Sequence, residues 1–104
     1  MKTHTYSPGG NDTVLVDNQN QNISQTEFKS ISKKLLKGTI EQIGFILPGK
    51  KAPYRLEMMG GEFCVNALRS LAAWISNKTG EKELKVESSG TEELVEMTVE
   101  TWTK

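Results

Sequence analysis

The chain has 104 residues, a length that suits one small domain spanning residues 1–104. Thirteen basic and thirteen acidic side chains cancel, so no net field draws it to nucleic acid or to an anionic membrane surface. A single cysteine cannot form an internal disulfide, and with one distant histidine it gives no zinc-ligand spacing. No signal-peptide pattern or membrane-length apolar run stands in the sequence, so a cytoplasmic protein without metal, membrane or nucleic-acid partners is expected.

Residues 2–7 alternate weakly between polar and apolar and predict an edge strand, with His4 structural or incidental. Pro8-Gly9-Gly10-Asn11-Asp12 is a turn cluster, where glycines permit positive φ and Asn and Asp bond to nearby backbone. Thr13 to Val16 then reads as a β-branched strand, followed by a polar loop from Asp17 to Asn22. Ser24-x-x-Glu27 forms a capping box, and Phe28, Ile31, Leu35 and Leu36 fall on one face of the helix it opens. Lys33, Lys34 and Lys37 suit the negative end of that helix, and Gly38 is its stop. A strand over Thr39–Leu47 leads into Pro48-Gly49-Lys50-Lys51-Ala52-Pro53, too long for a two-residue hairpin turn.

The central stretch follows: a strand from Tyr54 to Met58, a tight Gly60-Gly61 turn, and a helix beginning near Glu62. Phe63, Val65, Ala67, Leu68, Leu71, Ala72, Trp74 and Ile75 leave that helix only a narrow polar strip, so it belongs in the middle of the domain. Gly80 is its expected stop. Glu83 to Glu87 alternates as a strand, Ser88-Ser89-Gly90-Thr91 is a turn, and a last strand carries Leu94, Met97 and Val99 toward Trp102. A β-α-β opening followed mostly by hairpins gives the α+β class, with an antiparallel sheet. Cys64 falls in the first turn of the central helix, where free N–H groups and the positive dipole end favour anions and thiolates. Spacing alone leaves open the blander reading, a small buried apolar residue beside Phe63 and Val65.

The run Gly60-Gly61-Glu62-Phe63-Cys64-Val65-Asn66-Ala67-Leu68-Arg69-Ser70 resembles the first active-site segment of the diaminopimelate epimerase-like family. These racemases and epimerases work on amino acids without pyridoxal phosphate, and their pattern there is a cysteine, Gly-Asn and a small residue at a helix start. Pro8 to Asp17 is similar to the family's Gly-Asn loop, and Glu41-Gln42-Ile43-Gly44-Phe45-Ile46 to the segment between. The likeness runs from about Tyr6 to Met97 in family order and is nearest to the branch that racemises histidine for metallophore synthesis. It implies an antiparallel sheet curved around a central helix, one lobe of the family's two. It also implies two-thiol proton transfer at an amino-acid Cα, with Cys64 one of the two catalytic groups and no cofactor. Gly10, Asn11 and Asn66 would bind the substrate's polar backbone groups, and the main chain of Val65, Asn66 and Ala67 would offer N–H donors. Glu62 would support the site or cap the helix, and Arg55 and Arg69 would be structural.

The family's second cysteine lies in a second lobe that these 104 residues do not contain. Three arrangements follow: a homodimer facing two Cys64 thiols across a two-fold axis, one half of a split enzyme completed by a separate lobe, or a non-catalytic relic binding a small amino acid or a protein. Val65, standing where the family has glycine, favours the third. Leu68 in place of a small or polar residue points the same way, and Thr13 where Phe is common is a further departure.

Overall fold

The computed structural model describes residues 2–7 and 12–99, so Gly10 and Asn11 lie outside the described residues, as does the expected strand end beyond Val99. Strands β1 (Lys2–Tyr6), β2 (Asp12–Asp17), β3 (Ile40–Pro48), β4 (Tyr54–Met58), β5 (Glu83–Ser88) and β6 (Val95–Thr98) form one sheet in sequential order. Helix α1 (Gln25–Leu35) joins β2 to β3, and helix α2 (Val65–Thr79) joins β4 to β5.

The class is α+β as expected, but the sheet is mixed rather than antiparallel. Strand pairs β1/β2, β3/β4 and β5/β6 run antiparallel, whereas β2/β3 and β4/β5 are parallel. The reason is the length of what lies between: a helix carries the chain back to the edge it left, so the next strand repeats the direction of the last. The β4/β5 joint is short, pairing only Arg55 with Glu87 and Leu56 with Ser88. Among the described residues the sheet is open, with β1 and β6 as its edges.

Each helix covers one face. On the first, Phe28 of α1 stacks on Phe45 of β3 with ring centroids 3.9 Å apart and planes 5° from parallel, among Val14, Val16 and Ile43. On the other, α2 buries Ala67, Leu68, Leu71, Trp74 and Ile75 against Leu15, Ile46, Leu56 and Val86. The middle of β3, Ile43 to Ile46, is therefore buried on both sides and reads as an unbroken apolar run. Two expected helix signals hold, the Ser24–Glu27 capping box of α1 and Gly80 at φ +79 ending α2, whereas Lys37 and Gly38 fall beyond the Leu36 C-cap of α1 and Gly38 is not its stop. Leu36 is a correction. It is the C-cap residue of α1, 37% exposed, because the helix stops one residue before the apolar period does. Among the described residues no helix is long and apolar enough to cross a membrane.

Candidate active site

Helix α2 starts three residues later than the sequence suggests, at Val65, which makes Cys64 its N-cap rather than a member of its first turn. Cys64 is extended, with φ −131° and ψ 111°, and its thiol makes no cap. The delay has one local and one remote cause. The Glu62 carboxylate accepts the N–H of Gly60 at 3.0 Å, closing the Gly60-Gly61 turn, and the Glu62 carbonyl accepts the Ser89 hydroxyl at 2.7 Å. Both bonds hold residues 60–63 outside the helix. Glu62 is thus a turn closer and does not cap the helix, one of the two roles expected of it.

The arrangement leaves Cys64 half-buried against the α2-side core, at the head of a helix with no acidic residue in its first turn. The first intrahelical bond runs from the Leu68 N–H to the Cys64 carbonyl at 3.0 Å, so the N–H groups of Val65, Asn66 and Ala67 precede the ladder. A helix start with free donors is suited to a carboxylate. Four of the expected site residues, Cys64 to Ala67, are brought together here simply by being consecutive. Val65 is 54% exposed and Asn66 half-buried, while Ala67 is packed into the core. Phe63 and Val65 also line an open groove of about 690 Å³ between α2 and β6, with Leu68, Ala72, Met97 and Val99. Arg69 is exposed at its rim.

Two residues against the loop that leads to Cys64 were not among those expected. Ser89 is buried; its hydroxyl accepts the Met58 N–H at 3.0 Å while donating to Glu62, and its own N–H donates to the Leu56 carbonyl at 2.9 Å. Gly90, at φ +82, lies so close to the approach to Cys64 that a Cβ there would come within 2.5 Å of the Phe63 nitrogen. The sequence shows these two only as turn formers; nothing local says what the turn presses against. Further along, Arg55 is structural: it pairs with Glu57 at 3.2 Å and Glu87 at 3.7 Å. Burial pushes the Glu87 carboxyl up, but N–H groups of Lys51, Ala52 and Lys50, with Arg55, outweigh it and hold the group below its ordinary value. His4 lies tilted beside Trp74, with ring centroids 5.8 Å apart, far along the helix from Cys64.

Residues 2–104 match the family described as the histidine racemase CntK N-terminal domain. The chain belongs to this family. Two curated relatives, both named histidine racemase, come from two strains of Fusobacterium nucleatum subsp. nucleatum. One is 34% identical over 102 residues, covering 91% of this chain and 36% of its own length. The other is 32% identical over 100 residues, covering 89% and 35%. The chain therefore spans about a third of the length of the curated relatives it matches. Within it, the α2 N-terminus is where the only thiol and the free first-turn donors coincide.

Proposed function

We propose that this chain is the thiol-bearing lobe of a pyridoxal phosphate-independent, cytoplasmic histidine racemase built on the diaminopimelate epimerase-like plan, with Cys64 as one of two proton-transferring groups. The observation that carries the reading is a half-buried thiol at the uncapped start of α2, in a chain of the histidine racemase family. The N–H groups of Val65, Asn66 and Ala67, with Asn66, Gly10 and Asn11, bind the substrate's carboxylate and amino groups. As a thiolate, Cys64 takes the Cα proton: the S–H bond forms as C–H breaks, and the electron pair is left on Cα and shared with the carboxylate. Donors at the helix start favour that charge. A second thiol on the opposite face gives its proton to Cα and becomes the thiolate, so the amino acid is inverted and the two sulfurs exchange protonation states. No cofactor enters.

The second thiol comes from outside these residues, either from Cys64 of a second copy or from a separate lobe. A second reading, a lobe that binds an amino acid or a protein without turning anything over, is favoured by Val65, whose exposed branched side chain stands beside the thiol. Loss of the Cα-proton signal of L-histidine in deuterium oxide, followed by NMR, separates the two. Exchange by the chain, alone or mixed with the remaining part of a Fusobacterium relative, that disappears in Cys64→Ser supports racemisation. No exchange by the chain alone or in the mixture leaves binding alone.

A further inference from the structure

We infer that the Ser89–Gly90 turn is the positioning element of Cys64: one buried hydroxyl spans both ends of the loop that delivers the thiol. The inference rests on Cys64 acting as the proton-transferring group. Between β4 and α2 the chain has little packing of its own. Met59 and Phe63 are 42% and 44% exposed, and Gly60, Gly61 and Glu62 are exposed as well. Within the loop itself the bonds are short-range, from the Gly61 N–H to the Met58 carbonyl and from the Gly60 N–H to the Glu62 carboxylate. They close the turn without fixing where it stands on the sheet.

Ser89 supplies that fixation. Its hydroxyl takes the Met58 N–H where the loop leaves β4 and gives its proton to the Glu62 carbonyl, two residues before Cys64. The serine is itself held in place: its N–H bonds to Leu56, and its carbonyl accepts the Ser88 hydroxyl at 2.9 Å. Gly90 then abuts the Phe63 backbone, so the loop is bonded on one side and blocked on the other. Without the hydroxyl, the Glu62 end is released and the thiol drifts from the first-turn donors.

Because the chain has a single cysteine, alkylation reports on Cys64 alone. The probe is the ratio of its rates with anionic iodoacetate and neutral iodoacetamide, which senses the helix end and cancels the thiol's own ionisation. Ser89→Ala is expected to lower this ratio about threefold, the size of a first-turn helix-end effect on a charged group. Ser89→Thr, which keeps a hydroxyl, restores it. Phe28→Leu, on the opposite face of the sheet, lowers the melting temperature but leaves the ratio unmoved. A folded Ser89→Ala protein with the wild-type ratio, or an equal fall in Phe28→Leu, overturns the inference. Should Ser89→Ala not fold, hydrogen exchange of the wild-type Met58 amide decides: protection like that of β3 amides supports the clamp, and loop-like exchange rejects it. Alkylation needs no turnover, so a failed deuterium experiment rejects proton transfer by Cys64, whereas an unmoved ratio rejects the clamp.

Discussion

Replacing Glu87 measures how firmly the β3–β4 connection is tied to β5. One oxygen of its carboxylate accepts N–H bonds from Lys50, Lys51 and Ala52 at 2.5, 2.7 and 3.1 Å, and the other faces Arg55. Gly49 is part of this nest, since a Cβ there would come within 2.0 Å of the Ala52 carbonyl oxygen. Hydrogen bonds to a charged group contribute about 1.5–3 kcal/mol each when nothing replaces them. At exposed Lys50 and Lys51 water takes over; at buried Ala52 it does so poorly, and Arg55 keeps only Glu57. Glu87→Ala should therefore cost about 2–3 kcal/mol, a fall of about 10–20 °C in melting temperature for a domain of this size. Glu87→Gln keeps an oxygen in the nest and loses the charge, at about 1 kcal/mol.

The pH dependence has a definite sign. A carboxyl held below its ordinary value in the folded state stabilises above its unfolded value, about 4.3, and that contribution drains away as pH falls through the lower folded value. Urea unfolding of the wild type and Glu87→Gln should show a gap at pH 7 that closes below about pH 4. Asp12 and Glu27, whose carboxyls are also held low by Ser7 with Thr39 and by Ser24, are present in both proteins and cancel in the difference. A gap that does not change with pH, or a Glu87→Ala cost no larger than the ~0.5 kcal/mol of an ordinary surface change, would refute the reasoning.

Two further tests lie in α1. The Ser32 hydroxyl is buried with no hydrogen-bond partner among the described residues, so Ser32→Ala should be neutral or stabilising by up to about 1 kcal/mol in urea unfolding. Phe28→Leu removes the stacked partner of Phe45 and leaves a gap, and should cost about 1–2 kcal/mol by the same measurement.

What the sequence made legible is what neighbours in the chain decide. Ser24 and Glu27 announce the start of α1 because the bonds that cap it join residues three apart. Tyr54 to Met58 and the Gly80 stop were equally local, and the structure places them as read. The start of α2 was misplaced by three residues because its cause is remote: Ser89 holds the Glu62 carbonyl from 27 positions away. Leu36 failed differently, since an apolar period does not say where the last helical turn ends. Glu87 is polar in a strand that alternates, which suggests an outward side chain; nothing nearby tells that a hairpin 35 residues back presents it with three N–H groups.

The direction of β5 is the error with the greatest consequence for the site. In a parallel crossover the helix begins over the C-terminal ends of the strands it connects, the edge of an open sheet where ligands commonly bind. Met58 ends β4 and Ser88 ends β5, and because the two strands run together both ends reach the edge where α2 starts. Ser89 can therefore bond to Met58 and Glu62 at once. Had β5 run antiparallel to β4, its C-terminal end would lie at the opposite edge, five strand residues away from β4's end, and no hydroxyl there could reach the loop before Cys64. The two-residue pairing of Arg55 with Glu87 and Leu56 with Ser88 is consequently more than the weakest joint of the sheet. It sets the height of Ser89 against Glu62, and so couples the placement of the thiol to the register of two strands.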